Sequence, residues 1–198
     1  ARMIEVHFTD QREGKSFHDH ALSVEPSELR ALVDAAPRIL ASLGDGKLGL
    51  LVAQVIKTAG SELLLVGRSP EKLALARSWS IPTALADELT KEPADIVVDC
   101  TGSTRGFETA LGLVKPRGTI VVKTTVAERF SINLAPLVIN EITVVGSRCG
   151  PFEPALKALA DGSVQVKEMI SKTYPMEQAL EAFELASRPE TLKVLIRM

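Results

Sequence analysis

The sequence predicts an α/β protein built on a doubly wound parallel sheet with helices on both faces. Three observations carry this expectation. Short runs rich in Val, Ile and Leu at 39–43, 62–66, 95–99 and 119–123 alternate with helical segments. Strands buried on both faces lose the polar alternation of half-exposed ones, so such runs joined by helices read as parallel. A Gly-x-Gly-x-x-Gly run falls between the first strand and the helix that follows it. Finally, 198 residues with 45% apolar and 24% charged side chains suit one globular domain with an appendage and argue against disorder.

Taken in order, residues 4–9 alternate, with Ile4, Val6 and Phe8 set against Glu5, His7 and Thr9, the period of a half-buried strand. Residues 10–20 are polar and loop-like around Gly14, and 26–35 form a short helix with Pro26 near its start and Ser27 as cap. The strand at 39–43 leads to a helix at 48–59 that Gly60 ends, then to the strand at 62–66. Ser69 caps a helix over 70–78 whose first position is Pro70, where a missing N–H costs nothing. A turn at 80–82 precedes a short strand; the strand at 95–99, a helix at 106–114, a turn at 116–118 and the strand at 119–123 follow. The tail departs from this alternation: apolar segments at 132–140 and 141–146, a helix at 154–159 broken by Gly162, an amphipathic helix at 176–186 and a terminal strand at 192–197. The division expected is a short N-terminal segment (1–37), a dinucleotide-binding domain (38–150) and C-terminal helices and strand packed on it (151–198).

A formal net charge of −2 gives no general attraction for nucleic acid or anionic lipid, so neither is expected as a partner. No stretch approaches the roughly 18 apolar residues of a membrane helix, and no signal-peptide pattern opens the chain, where Ala1 and Arg2 precede Met3 as the expected natural start. Cys100 and Cys149 lack CxxC spacing, which points to reduced thiols and a cytoplasmic protein rather than a disulfide or zinc site. His7, His18 and His20 cluster in the N-terminal segment. His18-Asp19-His20 beside Asp10 resembles a metal pair, but a metal site needs three or four convergent ligands, and a solvated loop is the reading adopted. Nucleophile-elbow, HExxH and Walker patterns are absent.

The glycine run is Gly44-Asp45-Gly46-Lys47-Leu48-Gly49. Between a strand and a helix its glycines have separate tasks. Gly44 permits the tight turn, Gly46 lets the backbone approach a pyrophosphate, and Gly49 lets the helix pack against the strand. The helix N-terminus adds free N–H groups and a partial positive charge. Selection between cofactors falls at the end of the second strand, about 20 residues on, where an NAD-preferring fold places Asp or Glu on the ribose. This chain has Gly67-Arg68-Ser69 there, with Lys72 close by. Gly67 leaves space, Arg68 can pair with a 2′-phosphate, and Ser69 can donate a hydrogen bond. NADP is therefore expected over NAD.

The run GDGKLGLLVAQVIKTAGSELLLVGRSPEKLALAR resembles the first βαβ unit of zinc-type alcohol dehydrogenases, the medium-chain dehydrogenases/reductases. DIVVDCTGSTRGFETALGLVKPRGTIVVKTTVA resembles their later strands, and INEITVVGSRCG with YPMEQALEAFELA ahead of LKVLI resembles their C-terminal end. The likeness spans about residues 38–198. It implies a Rossmann fold, oxidoreductase activity on an alcohol or carbonyl, and a nicotinamide cofactor. It sets Gly44, Gly46 and Gly49, with Asp45, Lys47 and Leu48 between them, on the pyrophosphate; Arg68 on the adenosine phosphate; Cys100, Thr101 and Gly102 along the cofactor; and Lys123, Thr124 and Thr125 near the nicotinamide, with Ser147 and Arg148 reaching the cleft. It also implies a homodimer through an edge strand within 132–146.

The departures are as informative. In the family a catalytic domain precedes the glycine run, whereas 43 residues precede it here, without cysteine or the family's Gly-His-Glu segment. No zinc ligand carries over, so no zinc is expected, and metal polarisation of the reacting oxygen has no source in these residues. Slow or absent turnover is expected of the chain alone. The alternatives are a non-catalytic nucleotide-binding module and one half of a two-chain dehydrogenase; a methyltransferase is disfavoured by Gly67. A strand at residues 4–8 is expected to pair with residues 192–196 and cover an edge that the catalytic domain would otherwise cover.

Overall fold

The computed structural model describes residues 39–89, 93–126, 129 and 131–198. A six-stranded sheet forms from β1 (Ile39–Leu43), β2 (Glu62–Gly67), β3 (Thr83–Leu85), β4 (Ala94–Asp99), β5 (Val114–Val122) and β6 (Thr143–Gly146). All its pairings are parallel, in the spatial order β3-β2-β1-β4-β5-β6. The order reverses between β1 and β4, and that crevice at the carboxyl ends of the strands is where open α/β sheets place ligands. Helices α1 (Lys47–Thr58), α2 (Pro70–Ser78) and α3 (Thr104–Leu113) supply the crossovers.

The strands are apolar on both sides because both sides are covered. Leu63 and Leu65 of β2 pack with Leu50 and Ala53 of α1 and Leu73 and Ala76 of α2. Val66 of the same strand, with Leu43 and Val97, packs instead with Phe107, Ala110 and Leu113 of α3. Neighbouring residues of a strand point to opposite faces, so one strand feeds two cores. Trp79 ends α2 and is buried with Ile81 in the α1/α2 core. Ser69 caps α2, its hydroxyl accepting from the Lys72 N–H at 3.3 Å, with Pro70 at the start.

The turn expected at 116–118 lies inside β5. The register steps from Ala94↔Val114 to Ile96↔Thr119, and Arg117 takes a left-handed φ of 63° within the irregularity. The two apolar segments expected at 132–146 form a short helix, α4 (Ala135–Ile139), and the edge strand β6.

Beyond the sheet come α5 (Phe152–Ala160), a 3-10 turn (Lys167–Met169), β7 (Ile170–Pro175), a second 3-10 turn (Met176–Gln178), α6 (Ala179–Ala186) and β8 (Lys193–Arg197). The amphipathic segment expected as one helix over 176–186 thus begins as a 3-10 turn. Strand β7 escaped the sequence reading. It reads ISKTYP and buries only Tyr174, so no apolar alternation announces it. It pairs parallel with β8; residues 4–8, expected to pair with residues 192–196, lie outside the described residues. The tail is fastened to α1 by a reciprocal amide pair: Gln54 Nε2 donates to the Gln165 carbonyl at 2.9 Å, and the Gln165 N–H donates to Gln54 Oε1 at 2.6 Å. Segment 1–37 and its three histidines lie outside the described residues. No helix among the described residues is long and apolar enough to cross a membrane.

Candidate cofactor site

A groove of about 420 Å³ opens over the carboxyl ends of β1, β2 and β4, within the roughly 300–1,000 Å³ of small-molecule pockets. Of the residues singled out from sequence, Gly44, Asp45, Gly46, Gly67, Arg68, Lys72, Cys100 and Thr101 line it. Lys47, Leu48, Gly49, Ser69, Gly102, Lys123, Thr124 and Thr125 do not.

The glycine turn follows from steric necessity at two positions. Gly44 holds φ at +109°, a conformation L-residues rarely adopt, and a Cβ there would lie 2.8 Å from the Cys100 carbonyl oxygen. A Cβ on Gly49 would lie 1.7 Å from the carbonyl oxygen of Gly44, so helix and strand meet only because that side chain is missing. Gly46 differs: a Cβ there meets nothing within 4 Å. Its place in the turn is not crowded by protein, and its backbone faces open groove. Gly46 caps α1 without a side-chain acceptor, and the first turn carries no acidic residue. The free N–H groups of that turn are therefore left for an anion.

The far wall is set by a buried carboxylate. Asp99 is 1% exposed at the end of β4. Its Oδ1 accepts from the Thr101 N–H at 2.9 Å, the Thr101 hydroxyl at 2.8 Å and the Thr124 hydroxyl at 2.9 Å. The Gly102 N–H donates to the Thr124 hydroxyl oxygen at 3.1 Å. One carboxylate thus ties the loop after β4 to the end of β5, so Gly102 and Thr124 shape the rim although they do not line the groove. Lys123 points away toward β6, its ammonium donating to the Ser147 hydroxyl at 2.9 Å and the Arg148 carbonyl at 3.0 Å. Cys100 is buried, and desolvation, opposed by Lys123 and reinforced by Asp99, pushes its thiol up to about 12. It is a small core residue rather than a nucleophile.

The groove also carries Arg68 and Lys72, an acid, Asp87, and a third cation that the sequence does not single out, Arg105 in the first turn of α3. Its signal was a basic residue just after the β4 loop, but nothing in sequence says that β4 adjoins β1. Two local expectations change. Ser69 is engaged rather than free, its hydroxyl donating to Glu71 Oε2 at 2.9 Å besides capping α2. The space expected at Gly67 is filled: a Cβ there would lie 2.6 Å from the Cβ of Asp45. The end of β2 carries no acid of its own, yet the fold brings the Asp45 carboxylate to it, accepting from the N–H groups of Arg68 at 2.6 Å and Ser69 at 2.5 Å. Among the described residues no group of three His, Cys, Asp or Glu could hold a metal ion.

Strand order and glycine turn together define a Rossmann domain of the doubly wound kind. The family model described as zinc-binding dehydrogenase matches residues 48–161, more than half the chain; the chain belongs to that family, among the medium-chain dehydrogenases/reductases, matching their nucleotide-binding part. A second model, of the NeuB family, matches residues 1–48. The chain is 28% identical over 170 residues to the sorbitol dehydrogenase of Halalkalibacterium halodurans, a match covering 77% of this chain and 50% of that protein. It spans about half the length of the curated relatives it matches. A zinc-binding dehydrogenase from Sinorhizobium meliloti 1021, solved bound to NADP, superposes with a TM-score of 0.71 at 23% identity, covering 86% of this chain and 56% of that one. An alcohol dehydrogenase from E. coli CFT073, solved with NADH, gives 0.73 at 17% identity, again covering 86% and 56%. At these identities the two structures speak to the fold.

Proposed function

We propose that this chain binds NADP(H) in the groove as the nucleotide-binding part of an oxidoreductase moving hydride between a nicotinamide and an alcohol or carbonyl. One observation carries the reading: the Gly44–Gly46 turn, which caps α1 without a side-chain acceptor, lines the same groove as Arg68, Lys72 and Arg105. An elongated ligand with a pyrophosphate in its middle and a further phosphate at one end fits that distribution of donors. The fold neighbours solved with NADP and with NADH support the nicotinamide class, and Arg68 favours the phosphorylated member. When bound, the nicotinamide supplies or accepts the hydride. The protein's own residues hold the pyrophosphate at Gly44 and Gly46, with Gly49 letting α1 pack close behind the turn, and fix the rim through Asp99, Thr101 and Thr124. The substrate class is that of the family, and the reacting oxygen meets groups beyond those that line this groove.

The test is a titration with NADPH and with NADH, followed by nucleotide fluorescence at low and high salt. Tighter NADPH binding that weakens with salt supports the reading. Arg68→Ala should then erase the preference by weakening NADPH binding up to about tenfold, roughly 1.4 kcal/mol. Failure of both nucleotides to bind refutes it. We also propose that β6 pairs with the β6 of a second copy. It is the last strand of the sheet, and Val144 on it and Val138 and Ile139 on α4 are exposed. Light scattering behind size exclusion should give twice the chain mass, and a monomer at micromolar concentration refutes it.

A further inference from the structure

The end of β2 is occupied by opposing charges. In doubly wound folds this is where the adenosine ribose lies. The Asp45 side chain crosses from the glycine turn and lies against Gly67, its Oδ2 taking the N–H groups of Arg68 and Ser69 at 2.6 and 2.5 Å. A Cβ at position 67 would lie 2.7 Å from that same Oδ2, so glycine at 67 is the condition for this pose. Arg68 and Lys72 line the same stretch of groove, and the Lys72 ammonium also reaches the Pro189 carbonyl at 2.5 Å.

We infer that Asp45 is a specificity-determining residue for the dinucleotide, delivered from the glycine turn instead of from the end of β2. This rests on the groove being the dinucleotide site. A carboxylate accepts hydrogen bonds from ribose hydroxyls and repels a 2′-phosphate, and here it also holds the two backbone N–H groups that such a phosphate would otherwise use. Arg68 acts in the opposite sense. With both present, the site takes NADH as well as NADPH, and the preference between them is set by the Asp45 and Asp87 carboxylates against Arg68, Lys72 and Arg105, which line the same groove.

The test compares NADPH and NADH dissociation constants for the wild type, Asp45→Asn and Arg68→Ala, with thermal melting to confirm folding. Asn keeps the size and one amide acceptor but loses the charge. Asp45→Asn should move the NADPH-to-NADH affinity ratio about tenfold toward NADPH, the scale of one close charge contact at a surface; Arg68→Ala should move it the other way. A ratio within about twofold of the wild type in Asp45→Asn overturns the inference while leaving the groove as the site. The wild type alone provides a second measure if that variant does not fold: NADH should bind within about tenfold of NADPH, and a larger preference overturns the inference. If neither nucleotide binds the wild type, the groove reading and this one fall together.

Discussion

Alanine at Gly49 and at Gly46 should have opposite effects, although both glycines belong to one motif. At Gly49 the added methyl would sit 1.7 Å from the Gly44 carbonyl oxygen, backbone against backbone, with no flexible side chain to yield. The position lies inside α1, where alanine is intrinsically favoured over glycine by about 1 kcal/mol. Contact between carbon and carbonyl oxygen needs more than 3 Å, so α1 must withdraw from β1 by over an ångström. That opens the core around Leu50 and Ala53, both fully buried. Overpacking of this kind costs about 1–3 kcal/mol and more where backbone must move, which leaves a net loss of about 2 kcal/mol after the propensity gain. At Gly46 the backbone is extended (φ −75°, ψ 177°) and the new methyl meets nothing within 4 Å. Alanine there restricts the unfolded chain, a gain of about 0.4–1 kcal/mol, and is a poorer helix cap than glycine by a similar amount, so stability should stay within about 0.5 kcal/mol of wild type. The methyl projects where a pyrophosphate would approach, and NADPH binding should weaken at least tenfold, or about 1.4 kcal/mol. Urea unfolding followed by circular dichroism, paired with nucleotide titration, separates the two. A Gly49→Ala protein as stable as wild type would refute the packing argument. A Gly46→Ala protein that binds NADPH normally would refute the role of the open turn.

Three further outcomes follow from burial and hydrogen bonding. Cys149 is exposed and Cys100 buried, so a thiol reagent at pH 8 should label one cysteine rapidly in the native protein and both after unfolding; fast labelling at Cys100 would contradict its seat. Its thiol is raised from 9.0 to about 12 by burial, so the unfolded chain loses that proton first, and stability should fall as pH climbs from about 9 toward 12, a slope that Cys100→Ala should remove. Gln54→Ala should cost about 2 kcal/mol, since both bonds to Gln165 go and the partner amide and carbonyl lose their protein contacts; a change below about 0.5 kcal/mol in denaturant unfolding would show that the tail is held by other contacts.

What could be read in the chain was what depends on neighbours in sequence. The glycine turn, Ser69 ahead of Pro70, and the apolar strands 39–43 and 62–66 each act within a few residues, and each stands in the structure where its chemistry predicts. The family's pattern is local in the same sense, which is why the nucleotide-binding part could be recognised from its motifs. Strand β7 could not be read because its stability comes from β8, some twenty residues later, and not from an apolar face of its own. The turn at 116–118 looked like a break because Pro116 and Gly118 usually make one, whereas β4 absorbs it as a register step. Arg105 enters the groove only because β4 lies beside β1. Most telling is the cofactor end. Gly67-Arg68-Ser69 at the end of β2 carry no acid, so the sequence argues for a phosphate site. Only the packed turn sets the Asp45 carboxylate on the amides of Arg68 and Ser69, more than twenty residues away. Charge acts through space, and the distances that decide which charge a ligand meets are fixed by tertiary packing.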